Sequence, residues 1–350
     1  MNDPLARKKI AELLDTATGN GRILIVAQDN PDPDSIASAL ALKHIFAEKL
    51  RKRAKIVYGG SVQRVENRGM IRRLRIDLTP IKHVDPSRYG TVCLLDTQAA
   101  TGNNSLPEGF VPSIVVDHHP IKRSYQQGDF NDIRPEIGAT STILTSYLHA
   151  LDLKPSANLA TALVYGIKSD TRDLGREATP LDKQAYMFLF PMCNVKLLSK
   201  IEHERLPRFY FEDLSDALRN AQKMGRAIIA RVDKPHTAEI MPELSDLFIR
   251  HENIAWSVCY GIYDGAIYLS VRSSTTRHNS GKVAKRIVRN LGGGGGHKMM
   301  AGGRIELAGK TPEEVNAILE LLEKRFRRIF LSDGKTAYPL VKSSEDDEVC

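Results

Sequence analysis

The sequence predicts an α/β fold in two parts, a parallel-sheet domain followed by a smaller α/β domain. Three observations carry this expectation. Continuous apolar runs such as Ile23-Leu24-Ile25-Val26-Ala27, Val92-Cys93-Leu94-Leu95 and Ile114-Val115-Val116 have the composition of strands buried on both faces of a parallel sheet. Stretches with apolar residues at three- and four-residue spacing alternate with them, as βαβ units require. Beyond residue 225 the pattern changes to longer strand-like runs joined by turn residues.

Element by element, Leu5, Ile10, Leu13 and Leu14 predict an amphipathic helix over 5–17 that turns these four side chains inward. A strand follows over 22–27. A helix then begins near Asp34, with Ile36, Ala39, Leu42 and Phe46 on one face. Lys55–Tyr58 reads as a second strand ended by Gly59-Gly60, and strands recur at 91–95 and 112–116. Helices are expected near 138–150, 156–169 and 180–193. These elements form a first domain over 1–195. The charged, helical stretch 196–224 reads as a connector. In a second domain, 225–332, the strand-like runs are Ala227–Val232, Ile254–Tyr263 and Ala266–Arg272. Tyr263-Asp264-Gly265 reads as the hairpin turn between the last two. Helices are expected near 239–250, 279–290 and 312–328. The end, 333–350, holds Ser343-Ser344-Glu345-Asp346-Asp347-Glu348 and reads as a disordered acidic tail.

Hydrophobic residues at 42% and charged residues at 26% fit a soluble globular protein. The sequence holds no apolar run of membrane-spanning length, so no membrane association is expected. The first residues lack a signal-peptide core, and a cytoplasmic location is the expectation. None of Cys93, Cys193, Cys259 and Cys350 stands at CxxC spacing, which argues against a zinc knuckle or a redox dithiol. A formal net charge of +8 favours anionic ligands.

Four segments with acidic or histidine residues each follow a separate apolar element. They are Asp32-Pro33-Asp34, Asp96, Asp117-His118-His119 and Asp170. The carboxyl ends of parallel strands lie along one edge of a sheet, so these groups can converge there. Taken singly, Asp32 and Asp34 suit a turn and a helix cap as well as a metal. Carboxylates with imidazoles suit a hard or borderline divalent ion, and a ligating histidine needs an acceptor for its other nitrogen, which Asp117 or a carbonyl could supply. In the second domain, Gly292–Gly296 with His297 and Lys298 offers backbone amides to an anion, and Arg272 suits a forked contact to phosphate.

Together these motifs resemble the DHH phosphoesterase superfamily in its two-domain form with a DHHA1 C-terminal domain. The resemblance covers roughly 20–330. It rests on Asn30-Pro31-Asp32-Pro33-Asp34-Ser35, Leu94-Leu95-Asp96, Asp117-His118-His119-Pro120, Gly166-Ile167-Lys168-Ser169-Asp170-Thr171 and Gly294-Gly295-Gly296-His297 followed by Met300-Ala301-Gly302. It implies a parallel-sheet DHH domain, a helical linker and a smaller α/β DHHA1 domain, with the active site in the cleft between the domains. It also implies a metal-dependent phosphoesterase with two divalent ions, most often manganese. Asp96 would bridge the ions; Asp34, His118 and Asp170 would complete one position and Asp32 would belong to the other. His119, with Asp117 beside it, would face the substrate phosphate. Arg272 and the glycine loop Gly294, Gly295, Gly296 and His297 would hold substrate from the second domain.

Within the superfamily the sequence is most similar to the nanoRNase, oligoribonuclease-like branch. That similarity implies hydrolysis of phosphodiester or phosphomonoester bonds in small nucleotides or short single-stranded oligonucleotides. One position departs from the pattern: Gln28 stands where the family carries a metal-ligating histidine. It opens an alternative, a catalytically weakened nucleotide-binding regulatory protein of the same fold. The sequence leaves the oligomeric state open, a homodimer included.

Overall fold

The computed structural model describes residues 1–341 apart from 2, 100, 121–127, 176–177, 297 and 332–335. The chain divides into two compact units, Met1–Arg205 and Leu206–Cys350. Residues 343–348, which the sequence reads as an acidic tail, lie outside the described residues, as does His297.

In the first unit α1 (Ala6–Thr16) leads into β1 (Ile23–Ala27), α2 (Pro33–Leu50), β2 (Ala54–Tyr58), α3 (Val65–Leu74), β3 (Thr79–Pro80), β4 (Thr91–Leu95), β5 (Ile114–Asp117) and β6 (Phe130–Ile133). Helices α4 (Thr140–Ala150), α5 (Ala157–Thr171), α6 (Pro180–Leu189) and α7 (Val195–Glu202) follow. The six strands form one parallel sheet in the order β3-β2-β1-β4-β5-β6. All five residues of β1 and of β4 are buried, as their unbroken apolar runs require. Helices α2, α4 and α5 pack on one another over this sheet, and Phe46, Ile143, Tyr147 and Leu163 fill the space between. In α1, Ile10 and Leu13 are buried, but Leu5 is 51% exposed. The helix begins at Ala6, so Leu5 is its flanking residue and its side chain leaves the apolar face.

The second unit holds α8 (Arg208–Asn220), β7 (Gln222–Met224), β8 (Ala227–Val232), α9 (Ile240–Phe248), β9 (Trp256–Tyr263), β10 (Ala266–Ser273), α10 (Ser280–Val288), β11 (Gly293–Gly296), β12 (Met300–Glu306), α11 (Pro312–Phe330) and β13 (Tyr338–Pro339). Its sheet runs β11-β12-β10-β9-β8-β7-β13, with β8 and β9 parallel and every other pair antiparallel. Asp264 and Gly265 both take positive φ (46° and 72°), the geometry of a two-residue turn that matches strand twist, and they join β9 to β10. Tyr338–Pro339, inside the stretch assigned to the tail, pairs with β7.

The glycine run differs from the expected loop. Gly293–Gly296 is an edge strand, with Gly294 opposite Gly303 and Gly295 opposite Gly302. Glycine has no intrinsic preference for strands, so the pairing comes from the neighbouring backbone and from space. A Cβ at Gly294 would come within 2.9 Å of Val288 Cγ2 on α10, so only glycine lets helix and strand approach this closely.

Candidate metal centre

The charged segments of the first unit lie at the carboxyl ends of its parallel strands and at the adjoining helix ends. Asp32 and Asp34 open α2 after β1, Asp96 follows β4, Asp117–His119 close β5, and Asp170 lies in the last turn of α5. Asp96 has φ 61°, a left-handed conformation that aspartate tolerates better than most residues. Its amide donates to the Val116 carbonyl (3.0 Å), which fixes the turn against β5.

Asp34 is fully buried and accepts backbone amide hydrogens from Thr140 (Oδ2, 2.7 Å) and Ser141 (Oδ1, 2.7 Å). These are the first amides of α4, whose own N-cap, Ala139, has no side-chain acceptor to offer. A carboxylate from α2 thus caps α4, and the positive end of that helix favours its charge. Each Asp34 oxygen keeps a lone pair for another partner. Asp96 Oδ1 accepts from the Thr140 hydroxyl (2.9 Å), while its buried Oδ2 has no hydrogen-bond partner.

His118 Nδ1 lies 3.2 Å from the Ile137 carbonyl, which can only accept, so Nδ1 carries a proton. Nε2 points among carboxylates, 3.2 Å from Asp170 Oδ2 and 3.5 Å from Asp96 Oδ1, without a hydrogen bond to either. A neutral ring would set its Nε2 lone pair against carboxylate lone pairs. That arrangement is stable only if a positive charge stands between them, either a second proton or a cation. His119 Nδ1 is 2.8 Å from Asp117 Oδ1, and the His119 amide donates to the same oxygen (3.1 Å). Asp117 Oδ2 accepts from Gln98 Nε2 (2.7 Å). Asp117 therefore orients His119 rather than facing the other carboxylates.

Two groups offer ligand atoms within 4.8 Å of one another: Asp34, His118 and Asp170, and Asp96, His118 and His119. Asp32 belongs to neither. Its Oδ1 accepts from the Ser35 amide (2.9 Å) and caps α2. His119, expected on the substrate side, thus stands among the possible ligands of the second group, where Asp32 was expected. Gln28 follows β1 half-buried, and its amide donates to Ser35 Oγ (3.2 Å).

The electrostatics suit a cation. Burial, then the Asp170 charge, pushes Asp34 up to about 7. Burial and Asp170 likewise push Asp32 up to about 6. Burial raises Asp96 well above the carboxylate range, and the charges of Asp34, Asp32, Asp170 and Asp117 add to it. Burial alone would lower His118, but the close Asp170 carboxylate and the charges of Asp34 and Asp117 carry it up to about 10. Asp117 is lowered: burial opposes its charge, and His119 and Gln98 outweigh that. A divalent ion would replace the protons these groups otherwise retain, and the mixed oxygen and imidazole donors suit a hard or borderline divalent ion.

Sequence reasoning missed Thr140, Ser141, Gln98 and the Ile137 carbonyl, which hold the charged groups in place. The polar run Thr140-Ser141-Thr142 ahead of Ile143-Leu144 is a helix-start signal that could have flagged the first two. In the second unit, Arg272 is buried in β10 and already engaged. Its Nε donates to Asp246 Oδ1 (2.8 Å), and Nη1 donates to Ser270 Oγ (2.9 Å).

Residues 22–167 match the DHH family N-terminal domain and residues 225–328 match the DHHA1 domain, together more than two thirds of the chain. The chain belongs to the DHH family. An uncharacterized protein of Methanocaldococcus jannaschii is 35% identical over 309 residues, 87% of this chain and 62% of that protein. The DHH protein thus spans less than two thirds of the length of that relative. Among solved structures, an exopolyphosphatase-related protein from Bacteroides fragilis superposes with a TM-score of 0.69 at 16% identity, covering 94% of this chain and 99% of that one. RecJ from Thermus thermophilus, solved in complex with Mn2+, gives 0.52 at 14% identity, covering 94% of this chain and 55% of RecJ. The fold is that of a DHH-family phosphoesterase, and its DHH domain carries acidic and histidine groups that could hold a metal.

Proposed function

We propose that the protein is a metal-dependent hydrolase of phosphodiester or phosphomonoester bonds in small nucleotides or short single-stranded oligonucleotides, with manganese as its ion. The observation that carries this reading is the His118 Nε2 atom, held among the carboxylates of Asp34, Asp96 and Asp170 and bonded to none of them. Asp34, His118 and Asp170 would hold one ion; Asp96, His118 and His119 surround a neighbouring position. Bound divalent ions supply charge at the phosphoryl group and an acidified water. The protein residues do the rest. The Thr140 and Ser141 amides hold Asp34 in place. Asp117 accepts the Nδ1 proton of His119, so in the neutral ring Nε2 is the nitrogen without a proton, able to bind a cation or to accept a proton. In the DHHA1 domain, the Gly294, Gly295 and Gly296 edge strand, His297 and Arg272 remain the proposed substrate-binding residues, with Arg272 needing to exchange Asp246 for phosphate.

Gln28 favours a second reading, a nucleotide-binding regulatory protein that has lost turnover, because it replaces a titratable imidazole with a neutral amide. The two readings separate in one assay: release of mononucleotide from a labelled RNA dinucleotide, with manganese and then with chelator, alongside Asp96→Ala. Manganese-dependent release that Asp96→Ala abolishes is the expected result. Nucleotide binding by calorimetry with no turnover on mono-, di- or cyclic dinucleotides would hand the lead to the regulatory reading.

A further inference from the structure

A groove on the flank of the DHH domain runs between the carboxyl and amino edges of its parallel sheet. Its upper part, about 590 Å3, is lined by Tyr58, Gly59, Gly60, Val62, Ile81 and Pro107 among others. Its lower part, about 490 Å3, is lined by Arg22, Lys55, Lys82, His83, Arg88 and Tyr89 with Asp85. Lys82 and Val84 line both parts, so the two adjoin. The upper part begins at the carboxyl end of β2. There Asn30 accepts from the Ser61 amide (2.9 Å), and its own amide donates to the Gly59 carbonyl (3.0 Å). Asp32 is two residues further on, so the segment bonded to this wall also carries a residue of the charged cluster. The lower part lies at the amino ends of β1, β2 and β4, where Ile23 pairs with both Ala54 and Thr91. The five residues of β2 set a run of about 16 Å between the two ends.

The lining changes character along this run. The upper part is largely apolar, with Tyr58, Val62, Ile81 and prolines. The lower part is cationic. Arg88 pairs with Asp85 (3.3 Å), but Arg22, Lys55 and Lys82 have no carboxylate partner among the described residues, and Arg22 lies over the Tyr89 ring (5.2 Å). Three cations without a carboxylate partner among the described residues, lining one concavity, attract anions by their summed charge. A chain of bare phosphates would gain nothing from the apolar half. A single-stranded nucleic acid has both parts, bases for apolar and aromatic walls and phosphates for cations.

We infer that this groove holds a single-stranded oligonucleotide, with phosphates on Arg22, Lys55 and Lys82 and bases against the Tyr58–Ile81 wall. The direction of the bound chain, toward the metal cluster, rests on the proposed hydrolase reading; the binding itself does not. The test is anisotropy of a labelled RNA decanucleotide with the full chain in chelator, as a function of salt, for wild type and Lys55→Ala/Lys82→Ala. The double variant should bind about tenfold more weakly. Its salt slope should fall by about 1.4, since each single-strand phosphate contact contributes about 0.7. Manganese-dependent cleavage of the dinucleotide should stay at the wild-type rate in the same variant. Unchanged affinity and slope would overturn the groove as a binding site. Competition by inorganic polyphosphate as effective as by RNA would overturn the assignment to nucleic acid. If wild type binds the decanucleotide through these lysines but cleaves no nucleotide, the hydrolase reading fails and the groove stands.

Discussion

Two buried charge clusters sit on neighbouring strands of the DHH domain, and they are built to opposite rules. Beside β6, Arg134 is only 5% exposed and each of its three nitrogens donates to a carboxylate. Its Nε and Nη2 donate to the two oxygens of Asp132 (2.8 and 2.6 Å), and Nη1 donates to Asp3 Oδ2 (2.6 Å). The buried Tyr147 hydroxyl also donates to Asp132. Beyond β5, five carboxylates (Asp32, Asp34, Asp96, Asp117 and Asp170) face two imidazoles, and Asp96 Oδ2 and His118 Nε2 are left without hydrogen-bond partners. The first cluster offsets its desolvation with closed bonds. The second does not, and a structure retains such unpaired charge where something else is to bind.

The central residue of each cluster gives the sharpest separation between them. Asp96→Ala should lower metal-dependent hydrolysis on the order of a thousandfold or more, since it removes a carboxylate that lies within reach of both His118 (3.5 Å) and His119 (3.8 Å). In chelator the same variant should melt at or above the wild-type temperature, because the cost of burying this carboxyl, either as a repelled charge or by taking up a proton, is gone. Loss of stability in chelator would mean that Asp96 is a structural residue. Arg134→Ala should do the reverse, costing about 3–5 kcal/mol of stability by leaving Asp132 buried and unpaired. Denaturant unfolding with and without manganese should give the same loss in both conditions.

Proton linkage sharpens the contrast. In the metal-free protein Asp34 and Asp32 have folded-state values raised to about 7 and about 6, so the native state holds more protons than the unfolded chain. Stability from these groups is present at low pH and is lost as pH rises from the ordinary carboxylate range through 6 to 7. His118, raised from 6.5 to about 10, contributes stability that is complete below its unfolded value and is lost progressively as pH rises from there to about 10. Thermal midpoints in chelator should therefore fall between about pH 5 and pH 8. With saturating manganese the trend should flatten or reverse, because binding displaces those protons and tightens as pH rises. A chelated protein whose midpoint rises across this range would show that the carboxylates are satisfied without an ion.

Much of this contrast is legible in the sequence, but only where one segment carries the whole signal. The strands β1, β4 and β5 can be read because a fully buried parallel strand is apolar at every position. The charges at their ends follow from topology. The run Phe130-Asn131-Asp132-Ile133 does not read as a strand, because its Asp132 is neutralised by Arg134 and Tyr147, which the local pattern does not show. Asp34 and α4 meet across more than a hundred residues, so the cap is invisible from either segment alone. The glycine run reads as a loop in isolation because its strand state depends on β12 and on the space beneath Val288.

The smallest expected effect concerns Gln28, which stands where the sequence resemblance implies a metal-ligating histidine. It sits at the carboxyl end of β1, half-buried, four residues before Asp32, with its backbone already tied to Ser35. A glutamine oxygen is a hard, neutral donor, and imidazole binds later first-row ions more strongly. Gln28→His should raise manganese affinity by up to about tenfold and leave magnesium affinity nearly unchanged. Calorimetry with each ion reads this directly, and turnover should follow manganese occupancy. If neither affinity nor turnover moves, Gln28 lies outside the ligand shell. The two three-residue groups around His118 would then be the whole of the ion site, and the absent histidine would have no bearing on whether the protein hydrolyses its substrate.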